Sequence, residues 1–361
     1  MPLSRRHFLQ RLGLNGLIVL LARYGLAPSV WADEESMYLR NDELPVIKTD
    51  YPGNILIDGR FVNEDRSYVN NSFGKIFNWM MSANPQKKEK EEDPFKLKTI
   101  KLPPLNDIDK DCIIWLGHAS FLIRLDGKWL LTDPCLTHPP TQERLVELPI
   151  PIEKIEPLDY LLLSHGHYDH LDRTTVENLP ARGVKALLPL RMGELIRAMN
   201  KFMDTQESGW YQQFNINESF KIYFLPAQHW YLRVPWDRNK ILWGSFLIER
   251  NGMKIYFAGD TAYAEHFKEI YKLFGVIDYC LLPVGAYKPT YIMKTNHTNP
   301  EEAVAAFNEL HGKVFIPMHY GTFDLADEPL GEPVRWLQKL NDEKNINGEL
   351  KIPDVGEIMY I

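Results

Sequence analysis

The stretch LLLSHGHYDHLD, residues 161–172, sets three histidines and two aspartates directly behind an apolar run. Leu158 to Ser164 reads as a short buried strand, because it is brief, apolar and preceded by Pro157. His165, His167, Asp169 and His170 follow within six residues, too densely for one face of a helix, and Gly166 loosens the backbone between them. A loop of this kind can aim all its side chains at one spot beyond the strand end, where α/β folds keep their sites. Imidazole nitrogen and carboxylate oxygen are both zinc donors. The pattern H-x-H-x-D-H is long and restrictive, which weighs against a polar turn that is rich in histidine by accident.

Four donors fill the shell of one ion and leave no open position, so a hydrolytic site with two ions needs donors from elsewhere. Three strand-like runs supply them. IYFLPAQHW carries His229, KIYFAGDTAY carries Asp260, and KVFIPMHYGTF carries His319. Each alone reads more simply as a hydrogen-bonded residue after a strand. Their recurrence, together with the first loop, points to one shared centre.

These residues resemble the metallo-β-lactamase superfamily of dinuclear metal hydrolases. The flanking stretches IIWLGHASFLIRLDGKWLLTDP, LLLSHGHYDHLD and NHTNPEEAVAAFNELHGKVFIPMHYGTFDLADEP resemble the branch of N-acylphosphatidylethanolamine-hydrolysing phospholipase D and its bacterial relatives. The likeness runs from about residue 58, including GRFVNEDR, to the C-terminus. It implies a four-layer αβ/βα sandwich with the site at one edge between two sheets; periodicity alone says only α/β with many short strands.

The resemblance also implies roles. His165, His167 and His229 would hold one Zn2+ and Asp169, His170 and His319 a second, with Asp260 bridging them. Mn2+ and Fe2+ are chemically admissible in the same donors. A hydroxide shared by the ions would attack phosphorus while the metals neutralise the growing charge. Asp169 and His297 are the candidates for catalytic roles. His297 precedes a helix opened by Asn299, Pro300 and Glu302, read as N-cap, first-turn proline and capping-box partner. A helix N-terminus favours anions, so His297 suits a contact to substrate phosphate; a surface-loop histidine is the plainer reading. Asp133, in LLTDP, either fixes a ligand imidazole from behind or simply forms the turn before Pro134. His118, in WLGHAS, fits the branch without an assignable role.

Residues 1–32 read as a twin-arginine signal peptide: Arg5-Arg6, a modest apolar run from Leu12 to Ala22, and a cleavage point after Val30-Trp31-Ala32. That run is too short for a span of about 20 residues and Arg23 interrupts it. The expectation is a soluble, exported, periplasmic protein. The chain carries net charge −7, and a leader with four arginines and no acid would leave 37 basic against 48 acidic residues. This balance disfavours nucleic acid as a partner. It offers no general attraction to anionic lipid, though peripheral membrane contact through a local patch stays open. Cys112, Cys135 and Cys280 are odd in number, lie in apolar runs, and read as buried thiols.

Residues 33–106 form an extension before a hydrolase domain at 107–361. SFGKIFNWMM within the extension predicts one helix docked by its apolar face, and NPQKKEKEEDP predicts a solvated loop. Further helices are expected over 191–202, 262–274, 299–310 and 330–343; no internal repeat at a fixed period of about 20–50 residues is visible, though the resemblance implies two distantly alike halves.

The leading function is a zinc phosphodiesterase of phospholipase D type, acting on a phospholipid or small phosphodiester. The alternatives are a lactone or acyl-ester hydrolase, and a binding protein that kept the fold and lost its chemistry. Seven filled donor positions weigh against the last. Only 58 residues separate Asp260 from His319, too few for the large insertion of nuclease relatives, and His167 stands where a di-iron oxygen-reducing relative would carry glutamate. Trp210, Tyr211, Trp230, Tyr231 and Trp236 crowd His229 and either line an acyl groove or cover the core.

Overall fold

The computed structural model describes residues 37–67, 73–140 and 142–361; the expected leader lies outside them. The chain opens with a small antiparallel sheet of β1 (Met37–Leu39), β2 (Asn54–Ile57) and β3 (Arg60–Phe61). Helix α1 (Phe73–Met81) is the one expected in SFGKIFNWMM; it buries Ile76 and Trp79.

The next segment departs from expectation. Lys87–Glu92 is a helix, α2, and not a loop, although none of its residues is buried. Lys87 pairs with Glu91 and Lys88 with Glu92 at i,i+4 spacing, which supports a helix that has no apolar face. Lys90 reaches Asp324, and Gln86 at its N-terminus bonds Glu332 Oε2 at 2.8 Å, so tertiary contacts set the outcome.

Two seven-stranded sheets follow. The first contains β4 (Cys112–Gly117), β5 (Ser120–Leu125), β6 (Lys128–Thr132), β7 (Tyr160–Leu162), β8 (Lys185–Pro189) and β9 (Asp204–Ser208). The second contains β10 (Gln212–Gln213), β11 (Lys221–Leu225), β12 (Ser245–Arg250), β13 (Met253–Phe257), β14 (Tyr279–Pro283), β15 (Val314–Met318) and β16 (Glu349–Leu350). The last strand, β17 (Ile358–Tyr360), returns to pair with β4, so the first sheet runs β17-β4-β5-β6-β7-β8-β9 and the second β10 to β16 in order.

The two sheets have one pattern. In each, the first three pairings are antiparallel and the last three parallel. The architecture is therefore doubled even though the sequence shows no repeat. β4 is buried along its whole length, as a strand covered on both faces must be. A single core spans both sheets, with Phe121 of β5 packed edge-on to Phe257 of β13.

Helices lie outside the sheets: α3 (Arg173–Asn178), α4 (Gly193–Met199), α5 (His266–Phe274), α6 (Thr290–Met293), α7 (Pro300–Glu309) and α8 (Glu332–Asp342). α7 begins at Asn299, whose side chain accepts from the Glu302 amide while the Glu302 carboxylate accepts from the Asn299 amide, with Pro300 in the first turn. Its buried Ala303, Val304, Ala306 and Phe307 follow helical spacing and face the core. All three cysteines are buried free thiols.

Strand geometry places the chemistry. Asp133 follows β6, His165 follows β7, Asp260 follows β13 and His319 follows β15, while His229 lies four residues beyond β11. The C-terminal ends of parallel strands from both sheets thus open on one seam.

Candidate metal centre

At that seam three histidine nitrogens close on one another. His167 Nδ1 is 2.9 Å from His165 Nε2 and 3.1 Å from His229 Nε2. Donors about 2.05 Å from a tetrahedral zinc stand about 3.3 Å apart, so this triangle has the dimensions of a metal face. Asp260 Oδ2 completes the group, 3.8 Å from both His165 Nε2 and His229 Nε2.

A second cluster adjoins it. Asp260 Oδ2 is 3.1 Å from His170 Nε2, and its Oδ1 is 3.1 Å from His319 Nε2. His319 Nε2 lies 3.8 Å from Asp169 Oδ2. Asp260 therefore faces both clusters with one carboxylate. The structure brings together all seven residues singled out from the sequence.

The outer nitrogens explain how the rings are aimed. His170 Nδ1 donates to Asp133 Oδ2 at 2.7 Å, and His229 Nδ1 donates to the Asn296 carbonyl at 2.9 Å. Each bond fixes a tautomer with a lone pair on Nε2, turned inwards. Asp133 is itself held by the Ser164 amide, at 2.7 Å, and by the Ser164 hydroxyl. His170 Nε2, His319 Nε2 and Asp260 Oδ1 are buried and lack hydrogen-bond partners. Orphaned buried polar atoms are costly, and a cation between them would satisfy all three. The donor set fits a pair of divalent ions.

Electrostatics point the same way. Burial, with neighbouring imidazoles, pushes His165, His167 and His229 well below the usual histidine range. Burial alone would raise Asp260, but His170, His319 and His297 outweigh it and hold the carboxyl well below its usual range. Burial raises Asp133, against the pull of His170. Neutral imidazoles at His165, His167 and His229 beside an ionised Asp260 are the protonation states that metal ligation requires. At His170 burial is outweighed by the Asp260 and Asp133 carboxylates, which hold its imidazole well above the usual range until a cation takes the proton's place.

His297 borders the centre. Its Nδ1 lies 3.8 Å from Asp260 Oδ2 and its side chain is 12 % exposed. The Asn296 amide is satisfied when Nδ2 donates to the Ile292 and Met293 carbonyls, at 3.1 Å each, and Oδ1 accepts from His297 Nε2 at 3.1 Å. That arrangement leaves a lone pair on Nδ1, facing inwards. Burial pushes His297 down to about 4. At neutral pH it is an uncharged acceptor, which differs from the anion contact that its place before a helix suggests.

An open cleft lies over the centre. His167, Asp169, Asp260, His297 and His319 form its floor; Trp230, Leu232, Ile292, Met293 and Leu325 form apolar walls, and among the described residues no lysine or arginine lines it. The aromatic cluster divides accordingly. Trp210, Tyr211 and Tyr231 belong to the core, Trp230 packs edge-on to His167 in the cleft, and Trp236 is 68 % exposed.

Sequence reading missed several supports. Asn63, from the extension, accepts from the His229 amide at 3.2 Å and from Trp243 Nε1 at 3.1 Å. Arg233, buried, donates to the carbonyls of Gly166 and Leu171 at 2.8 and 2.9 Å and lies 4.0 Å over the Tyr168 ring, bracing the loop from behind. Neither residue carries a local signal. Their role comes from distant segments meeting.

Comparison with known proteins agrees with this geometry. A family model described as "Beta-lactamase superfamily domain" matches residues 128–320, more than half of the chain. The chain belongs to the beta-lactamase superfamily. Within that superfamily it is 31 % identical over 270 residues to the N-acyl-phosphatidylethanolamine-hydrolyzing phospholipase D 1 of Caenorhabditis elegans, covering 68 % of this chain and 74 % of that protein. An uncharacterized protein of Mycobacterium tuberculosis is 29 % identical over 352 residues, 94 % of this chain and 91 % of the relative. Among solved structures, a possible metal-dependent hydrolase from Veillonella parvula shares the superfamily fold, with a TM-score of 0.58 at 15 % identity over 70 % of this chain and all of that one.

Proposed function

We propose that this superfamily member is a metal-dependent phosphodiesterase of phospholipase D type, hydrolysing an N-acylphosphatidylethanolamine-like phospholipid to a phosphatidic acid and an alcohol. The coarser statement, a metal-dependent hydrolase, rests on the superfamily and on the converging donors. The observation that carries the finer one is the cleft, where a metal-competent floor meets apolar walls and, among the described residues, no lysine or arginine intervenes. Such a surface suits an amphiphile with one phosphodiester charge better than a highly anionic substrate. The likeness to the nematode phospholipase supports the same reading.

His165, His167 and His229 would hold one ion and Asp169, His170 and His319 the other, with Asp260 between them. Two divalent cations there, zinc by donor type, would supply Lewis acidity and lower the pKa of a water towards neutrality. The protein's own part is positioning and proton transfer. Nδ1 of neutral His297 accepts a proton as water attacks phosphorus, then delivers it as the phosphorus–oxygen bond to the leaving alcohol breaks. Asp133 and the Asn296 carbonyl keep two of the ligand rings aimed, and Trp230 with Leu232 shields the cleft from bulk water.

We further propose export through the twin-arginine leader, motivated by SRRHFL at residues 4–9. Among the described residues no helix is long and apolar enough to cross a membrane.

The test of the reaction is turnover by purified enzyme on a panel of N-acylated phospholipid, ordinary phospholipid and small lactones. Release of phosphatidic acid with preference for the phospholipids is expected. Turnover of lactones alone would contradict the phosphodiesterase reading.

A further inference from the structure

His118 lies outside the seven-residue donor set, yet it is built into the centre. It occupies the turn between β4 and β5, with 1 % exposure, and its backbone φ is +54°. L-residues avoid that region, and the cost is tolerated where surrounding structure over-determines the conformation. Here the surroundings do so. The His118 amide donates to Thr322 Oγ1 at 2.7 Å, and its carbonyl accepts from the His319 amide at 3.0 Å and from Trp115 Nε1 at 2.9 Å.

The side chain points at the second cluster. Nε2 is buried without a well-formed hydrogen bond and lies 3.4 Å from Asp169 Oδ2, while the ring packs 4.0 Å from that of His319. Nε2 can thus join Asp169, His170 and His319 in one compact donor group. A turn serving only to pack the core would be better filled by an apolar side chain, which leaves no polar atom orphaned.

We propose that His118 is a positioning residue for the second ion: its Nε2–H donates to Asp169 Oδ2 and so fixes the orientation of that carboxylate beside His170 and His319. Because the His118 backbone also receives the His319 amide, one turn from the first sheet aligns two donors, one from each half of the fold. The inference rests on the reading of Asp169 and His319 as ligands, and on the rule that groups behind a ligand tune its affinity.

The test compares full-length wild-type protein with His118→Leu and His118→Gln. Glutamine can place an amide N–H near the imidazole Nε2; leucine cannot. Three quantities are read: bound zinc per chain, the rate at which a chelator removes the second ion, and the absorption spectrum of the cobalt-substituted protein. The leucine variant should bind the second ion roughly 10–100-fold more weakly, the usual effect of removing such a partner, and so lose it faster to the chelator, and glutamine should restore most of the difference. Thermal unfolding of the metal-free proteins should differ little. Wild-type release kinetics in the leucine variant would overturn the proposal. So would a glutamine variant no better than leucine with an altered cobalt spectrum, which would make His118 a direct ligand. If leucine prevents folding, the glutamine variant decides alone, since near-wild-type retention is expected of it and rapid release would overturn the role. The wild-type metal count judges the two-ion reading separately, so the two can fail independently.

Discussion

His297 concentrates the chemistry of the proposed reaction in one side chain. Burial keeps it neutral at neutral pH, with its pKa pushed down to about 4, and its free nitrogen faces Asp260 across 3.8 Å. His297→Ala should leave metal content unchanged but lower phosphodiester turnover by roughly 10²–10⁴, the contribution of a positioned proton carrier. A small lactone has a leaving group that stays tethered, and its hydrolysis should suffer less. Equal, slight losses on both substrates would make His297 a bystander. At this scale the sequence was informative wherever a residue sat in the strand-end motif. Asp133 answers both readings open to it: φ is +32°, as a turn former, and it accepts from His170 as an orienting carboxylate. Asn63 and Arg233 were illegible, because each acts on a residue more than 60 positions away through backbone groups that no motif encodes.

Among elements, the helix opened by Asn299 was readable to its capping box, since capping chemistry is local. α2 was not, because a run of alternating charge forms a helix or a loop according to what it touches, here Asp324 and Glu332. α5 carries a testable liability at its first residue. His266 is buried, its ring nitrogen 3.3 Å from the Thr261 hydroxyl, and desolvation lowers its pKa from 6.5 to about 3. A proton therefore binds the unfolded chain below pH 6.5 but the native protein only near pH 3, so stability falls as pH falls through that window. The slope from one such site approaches about 1.4 kcal/mol per pH unit. Urea unfolding of wild type and His266→Leu, held in the same metal state, should give a shallower acid loss for the variant between about pH 6 and 4. Parallel curves would show that His266 does not titrate as the burial implies.

Across the whole molecule, two sheets of one pairing pattern meet at a seam, and donors from both complete a single centre. The αβ/βα sandwich implied by the resemblance already contains this doubling, but periodicity alone does not show it, because strand pairing order leaves no periodic trace when side chains have diverged. The extension shows a similar limit: Asn41 and Asn54 bond the β9–β10 region through long-range contacts invisible in composition. The proposed export has its own check, in which replacing Arg5 and Arg6 by lysine should leave full-length protein in the cytoplasm. Mature protein beginning near Asp33 in the periplasm would refute the twin-arginine assignment. The central claim is that seven side chains from both halves form one two-ion centre. Metal analysis of purified, folded protein, titrated with zinc and read alongside activity, addresses it most directly. The account predicts close to two ions per chain, with Asp260→Asn lowering both occupancy and turnover because a neutral amide bridges poorly. A fully active enzyme that holds one ion per chain, unchanged by added zinc, would contradict it.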